Sequence, residues 1–131
     1  MPPEVEEWMV QAEYDFSTAK AMFHSRKYLY MVYKCQLALE KALKAAVALR
    51  TNKTPPITHK LLLLANMGKM DFLDNHFEFL GIMDAIGSGA RYHKDLAVTR
   101  KIYPRNIAQE YLTKTEEILE WIQKDPIFKQ S

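Results

Sequence analysis

The sequence predicts an all-α fold, an antiparallel up-down four-helix bundle with an additional short helix. Apolar residues recur at spacings of three and four in four long segments. No segment alternates strictly between apolar and polar residues, and the connections between segments are short. A chain of 131 residues with 48% hydrophobic content can bury one core and is too short to build two. We therefore expect a single helical domain over residues 1–131.

The first helix is expected to run from the N-terminus to about His24. Pro2 and Pro3 precede three glutamates, as is typical of a first helical turn, where negative charge faces the positive end of the helix dipole. The polar residues 25–27 interrupt the pattern, which favours a second helix that runs back antiparallel to the first. The apolar stripe of the first helix consists of Val5, Met9, Ala12, Phe16, Ala19 and Phe23.

The central helix is expected over residues 28–50, where 17 of 23 residues are apolar or aromatic and none is glycine or proline. At this length the helix is about 35 Å long. One stripe should face the core, while Tyr30, Tyr33 and Leu37 form a second apolar surface among charged residues. Another helix of the bundle, a dimer contact or a ligand groove would each explain that surface. We predict symmetric pairing of two copies through it.

The segment after the central helix should be a loop followed by a short helix. Pro55 and Pro56 disfavour helix at themselves and at the preceding residue. Thr58 is placed to cap the apolar segment LLLLANM, which Gly68 then interrupts. His59 either orients this turn or faces a site.

Two further helices complete the bundle. Residues 71–86 resume helical periodicity, and the glycines of residues 87–89 are expected to end that helix. Pro104 suits the start of a last helix that ends before Pro126. The apolar positions of these two helices are Phe72, Phe79, Ile82, Met83 and Ile86 in the former, and Ile107, Tyr111, Ile118 and Ile122 in the latter.

Charge is unevenly distributed although its total is small. The formal net charge is +2, which gives no general case for nucleic-acid or membrane binding. Residues 91–105 nevertheless carry five basic residues against Asp95, a net +4, and residues 1–15 carry five acidic residues and no basic one, a net −5. The basic segment is either a solvated connection or a contact for an anion or phosphate.

Several classes of site are not expected from this sequence. The one cysteine, Cys35, allows no intramolecular disulfide and no multi-cysteine zinc site, and it suits a buried thiol in a reducing compartment. Glycine-rich phosphate loops and the HExxH and GxSxG motifs are absent, and the four histidines are scattered over separate elements. We therefore expect no metal and no cofactor.

The expected location is the cytoplasm. The acidic, proline-led N-terminus differs from the basic and then apolar start of a secretory signal. No apolar run uninterrupted by charge approaches the roughly 18 residues that cross a bilayer, so no contact with a membrane is expected.

Four motifs together resemble the HEPN domain, the "higher eukaryotes and prokaryotes nucleotide-binding" family. They are the N-terminal helix with Trp8, Ala12 and Asp15, the segment YKCQLALEKALKA at residues 33–45, THKL at residues 58–61 and ARY at residues 90–92. The resemblance covers residues 5 to about 120. It implies a bundle of four to five helices, commonly a homodimer, often encoded beside a minimal nucleotidyltransferase as a two-component module. Many such modules look like toxin–antitoxin pairs.

The resemblance to HEPN ribonucleases is incomplete at their motif. That motif is an arginine followed four to six residues later by a histidine, whereas Arg91 is followed by His93 after two and Arg50 by His59 after nine. On a helix these spacings place the two side chains on different faces. A degenerate ribonuclease that uses Arg91 and His93 is the alternative to a non-catalytic module, and a purely structural dimerisation module is a second alternative.

The sequence fits the Arg-Tyr version of the domain, whose implied role is that of a nucleotide- or substrate-binding partner of a nucleotidyltransferase. Nucleotide and RNA are the possible ligands. A guanidinium can make a bidentate contact with a phosphate, and a tyrosine ring can stack on a base. Alternatively, Tyr92 packs in the protein and Arg91 pairs with the end of a helix. The candidate nucleotide- or phosphate-binding residues are Arg91, Tyr92, His59, Lys41 and Lys44.

Overall fold

The computed structural model describes residues 1–90 and 101–129, with the backbone alone for residues 87–90. This part of the chain contains five α-helices and no strand. The helices are α1 (Pro3–His24), α2 (Tyr28–Thr51), α3 (Leu61–Met67), α4 (Asp74–Ala90) and α5 (Arg105–Gln123), and a short 3-10 helix follows at Pro126–Lys129. The all-helical fold predicted from the sequence, with one short helix beside four long ones, is confirmed.

Helices α1 and α2 form a tight antiparallel pair. The connection is short because Arg26 adopts a left-handed conformation, with a φ of 61°, and the amide of Lys27 returns to the carbonyl of Met22. Both helices begin and end within one residue of the bounds expected from the sequence. In the expected apolar stripe of α1, Met9 is partly buried, and the other five residues, Val5, Ala12, Phe16, Ala19 and Phe23, are buried.

Helix α2 is the centre of the core and is covered on most of its sides. It packs against α1, α3, α4 and α5, and fifteen of its residues are buried. Asn52 ends it in a left-handed conformation and donates its amide to the carbonyl of Ala48. The second apolar surface expected on α2 is partly covered by the bundle itself: Tyr30 is about half exposed, whereas Tyr33 and Leu37 are partly buried.

The N-terminus of α3 is capped by Asp84 of α4 and not by Thr58 as expected. The Asp84 carboxylate accepts the amide of Leu61 at 2.7 Å and the amide of Leu62 at 3.1 Å. Thr58 Oγ1 instead accepts the amide of Lys60 within the preceding loop. A capping residue distant in sequence cannot be found from local spacing, and this explains the wrong prediction.

Helix α4 begins later and ends later than its sequence pattern suggested. His76 Nδ1 accepts the amide of Leu73 at 3.2 Å, which makes Leu73 the residue before the first helical turn. At the other end the backbone stays helical through residues 87–89 to Ala90, so the expectation that this segment ends the helix is wrong. Glycine within a helix costs only about 1 kcal/mol relative to alanine, so two glycines weaken a helix without necessarily ending it.

Helix α5 completes the bundle and begins directly after Pro104, as expected. Its core positions Ile118 and Ile122 are buried, and Ile107 and Tyr111 are partly buried. In residues 1–90 and 101–129, none of the helices combines the length and the apolarity needed to cross a bilayer.

Candidate functional site

A buried carboxylate on α2 lies at the centre of the most polar part of the interior. Only 6% of the Glu40 side chain is exposed, and each of its oxygens has a cationic or ionisable partner. Oε2 lies 3.3 Å from Lys44 Nζ, one helical turn further along α2, and Oε1 lies 2.7 Å from His59 Nδ1. A buried carboxylate requires such partners, because desolvation of an unpaired charge costs several kcal/mol.

His59 reaches Glu40 from the loop between α2 and α3. Pro55 is buried in this loop, which directs the chain back towards α2 after the helix ends at Thr51. Because a carboxylate only accepts hydrogen bonds, Nδ1 is the donor in this contact. The opposite ring nitrogen, Nε2, then remains for solvent or a ligand, and 56% of the side chain is exposed.

A second ion pair starts from the next residue of α2. Lys41 Nζ lies 2.7 Å from Oδ2 of Asp15, a buried residue of α1. We call Asp15, Glu40, Lys41, Lys44 and His59 the Glu40 cluster. Its two carboxylates and two ammonium groups sum to zero charge.

The surroundings of the cluster hold hydrogen-bonding groups that are not used. Gln36, one turn before Glu40 on α2, is 3% exposed, and its Oε1 has no hydrogen-bond partner. Trp8 Nε1 is likewise buried and without a partner, and Lys44 Nζ lies 5.3 Å from the centre of the Trp8 ring. Buried polar atoms normally have partners, so Gln36 Oε1 and Trp8 Nε1 are exceptions to this rule.

A family model for the HEPN domain matches residues 5–125 of this chain. The chain belongs to the HEPN family. The match includes α2 to α5, all of α1 except its first two residues, and every residue of the Glu40 cluster. The family resemblance found in the sequence is therefore confirmed.

Two solved structures share the fold of this HEPN domain. The TT1696 protein from Thermus thermophilus has a TM-score of 0.79 at 19% identity, over 94% of this chain and 98% of that one. ST0689, described as an archaeal HEPN homologue, has a TM-score of 0.73 at 19% identity, over 93% of this chain and 97% of that one. None of the curated proteins compared with this chain matches it.

Three of the five candidate binding residues lie in the Glu40 cluster, namely His59, Lys41 and Lys44. Glu40 and Lys44 are spaced i,i+4 on α2, and the ion pair they form is buried. Arg91 and Tyr92, together with His93 of the ribonuclease alternative, lie outside the described residues. The contacts of Glu40 with His59 and of Asp15 with Lys41 were not evident from the sequence, because each joins residues that only the fold brings together.

The side chains of the Glu40 cluster do not suit a metal ion. In the part of the chain that the structure describes, no group of three or more histidine, cysteine or carboxylate side chains is placed to hold a metal ion. Two lysines in the cluster would also repel a cation.

Proposed function

We propose that this HEPN chain is a non-catalytic nucleotide-binding and interaction module, and that its partner is a minimal nucleotidyltransferase in a two-component, toxin–antitoxin-like system. The observation that carries the binding role is the exposed imidazole of His59, fixed by a buried carboxylate at 2.7 Å. A ring held in one orientation loses little conformational entropy when a ligand contacts it.

The proposed site combines the cluster with the basic segment that follows α4. His59 contacts a phosphate group, and Lys41, whose side chain is 23% exposed, supplies a further basic side chain. Arg91 makes a second phosphate contact and Tyr92 stacks on the base, in the role that the Arg-Tyr type of HEPN domain implies. This division assigns the phosphate to the charged residues and the base to the aromatic one.

Calorimetric titration of ATP and GTP into wild type and Arg91→Ala tests the binding role. We expect saturable heats with wild type and a weaker interaction with the variant. Arg26→Ala is a matched control, because Arg26 is also an exposed arginine but lies in the α1–α2 turn. Equal binding by all three proteins would remove Arg91 from the site, and no heat from wild type would refute nucleotide binding.

The partner is tested by co-expression with the protein encoded in the neighbouring reading frame. The proposal expects a small nucleotidyltransferase with a Gly-Ser motif and paired aspartates, and it expects that protein to co-purify with this chain. A neighbouring frame of another class, or a nucleotidyltransferase that does not bind, would contradict the partnership.

The chain is also proposed to form a homodimer through the outer face of α2. Tyr30 is 52% exposed there, and a symmetric contact would bury it once in each copy. Sedimentation at micromolar concentration should show a dimer for wild type and a monomer for Tyr30→Asp. Tyr14→Asp is the control, since Tyr14 is an exposed tyrosine of α1. A wild-type monomer would refute the dimer.

A ribonuclease is the second candidate function, and the geometry of His59 is the observation that favours it. An imidazole oriented by a carboxylate is a common general acid–base group. Incubation of the purified protein with total RNA should leave the RNA intact if the domain is non-catalytic. Cleavage that is lost in His59→Gln would favour the ribonuclease over the proposed module.

A further inference from the structure

We infer that an exposed apolar patch at the start of α4, bordered by carboxylates, is the docking surface for a basic amphipathic helix of a partner protein. The patch consists of Leu73 just before α4, Phe77 in the first turn of α4, and Trp121 near the end of α5. We call these three residues the α4 patch. This inference goes beyond the proposed function, because it depends neither on nucleotide binding nor on what the partner does.

The side chains of the α4 patch are large and apolar, yet they remain exposed. Leu73 is 51% exposed, and Phe77 and Trp121 are each 38% exposed. Two buried rings connect them. Phe77 lies edge-on to Phe72, with 5.6 Å between the ring centres, and Trp121 lies 4.8 Å from the ring of His76. Phe72 and His76 also contact each other, so the three exposed side chains border one continuous floor.

Hydrogen bonds hold the α4 patch in place. The indole Nε1 of Trp121 donates to the carbonyl of Asp71 at 3.1 Å, and the amide of Phe77 donates to the carbonyl of Leu73 at 3.2 Å. With its polar atom already bonded, the indole offers a partner only its apolar surface. Large aromatic side chains held in one arrangement are the usual anchors of protein interfaces, because little entropy is lost when they are covered.

Negative charge dominates the surroundings of the α4 patch. Residues 69–78 and 117–124 carry five acidic residues against Lys69 and Lys124, a net −3. Within the described ranges 1–90 and 101–129, none of the five carboxylates takes part in an ion pair. They are the exposed residues Asp71, Asp74, Glu78, Glu117 and Glu120. An apolar stripe flanked by lysine or arginine on a helix would match both the patch and its charged border.

The same charges argue against the other occupants of such a patch. Carboxylates repel the phosphates of nucleic acids and the headgroups of anionic lipids. A symmetric contact between two copies would place the same acidic border on both sides of the interface, and facing like charges are unfavourable. The dimer proposed above uses Tyr30 of α2 and none of the residues of the α4 patch.

Fluorescence anisotropy with a labelled synthetic peptide tests the inference. The probe is an amphipathic peptide of leucine and lysine with helical spacing. In one control peptide glutamate replaces every lysine, and in the other serine replaces every leucine. We expect saturable binding of the leucine–lysine peptide and binding at least about tenfold weaker for each control, since each lacks one of the two features that the patch recognises.

Variants of the protein locate the binding. Phe77→Asp and Leu73→Asp should each weaken binding of the leucine–lysine peptide by at least about tenfold, the loss typical of a central interface anchor. Ile57→Asp is the matched control, because Ile57 is a fully exposed apolar residue in the loop before α3. Circular dichroism checks that each variant is folded, and the use of two patch variants guards against a local effect of either one.

A pair of double variants tests the charged border separately. Asp74→Lys with Glu78→Lys should weaken binding and reduce its dependence on salt. Glu4→Lys with Glu6→Lys makes the same change of net charge at the exposed start of α1 and should leave the affinity unchanged.

Three results would overturn the inference. The first is absence of saturable binding of the leucine–lysine peptide by wild type. The second is equal binding of that peptide by wild type and both patch variants, or equal binding of the leucine–glutamate peptide. The third is a wild-type dimer that Phe77→Asp converts to a monomer in sedimentation, which would show that a second copy covers the α4 patch.

Discussion

The Glu40 carboxylate lies 2.7 Å from Nδ1 of His59 and connects the buried middle of α2 to an exposed loop residue 19 positions further along the chain. This contact joins the helix at the centre of the core to the loop that leads into α3. Glu40 therefore has two roles, since it neutralises buried Lys44 and fixes the ring of His59.

Glu40→Ala should lower the free energy of unfolding by about 3 kcal/mol, because it leaves the Lys44 ammonium buried without a partner. Urea denaturation measures this change. Glu110→Ala is the matched control, since Glu110 and Lys114 have the same i,i+4 spacing on α5 at 3.0 Å but are both more than 40% exposed. Loss of that pair should cost less than about 1 kcal/mol. Equal costs for the two variants would contradict the role assigned to burial.

Asp84→Ala should destabilise the protein by about 1 kcal/mol, because it removes the acceptor for the amides of Leu61 and Leu62 at the start of α3. Amide hydrogen exchange at those two residues should accelerate. Thr58→Ala is the control, because Thr58 Oγ1 accepts the amide of Lys60 within the loop. A larger loss of stability in Thr58→Ala than in Asp84→Ala would show that Thr58 is the capping residue.

The buried ring of His76 should make stability fall in mild acid. Burial lowers the pKa of His76 from its ordinary value of 6.5, and the nearby Glu117 acts in the opposite direction but more weakly. The neutral ring is therefore the folded form, and its contribution is complete above pH 6.5 and is lost as the pH falls through the lower folded-state pKa.

The comparison that isolates this effect is between wild type and His76→Gln. Glutamine can still accept the Leu73 amide at the start of α4, but it does not titrate. The free energy of unfolding, measured by urea at pH 7.5 and pH 5, should fall less in the variant than in wild type. Equal losses would show that His76 is not the group that titrates.

Cys35 should be inert in the folded protein. Burial raises the pKa of its thiol to about 12, although a hydrogen bond with Thr115 acts in the other direction. Its reaction with a thiol reagent at pH 8 should therefore follow the rate of opening of the protein and become fast in urea. Rapid modification under native conditions would contradict the buried position on α2.

Local sequence pattern was sufficient to predict where α1 and α2 begin and end. The bounds of α1 and α2 follow from apolar spacing and from the polar residues 25–27 between them. Contacts between distant residues were not predictable in this way. Asp84 caps a helix that begins 23 residues earlier, and local spacing pointed to Thr58, which lies closer to that helix in the sequence.

The candidate site was predictable in part for the same reason. Lys41, Lys44 and His59 were recognised as candidates, but their partners were not. The i,i+4 spacing revealed Glu40 as a neighbour of Lys44, yet gave no indication of burial or of the contact with His59. Asp15 lies on another helix from Lys41, and only the packing of α1 on α2 brings the two together.

The most direct test of nucleotide binding at the Glu40 cluster is the affinity for ATP of wild type, His59→Gln and His24→Gln at pH 7. His24 is an exposed histidine at the end of α1, so its variant controls for loss of an imidazole elsewhere on the surface. We predict that wild type and His24→Gln bind equally and that His59→Gln binds at least about tenfold more weakly, the loss expected for one hydrogen bond to a charged group. Equal affinity of all three proteins for ATP would contradict the account.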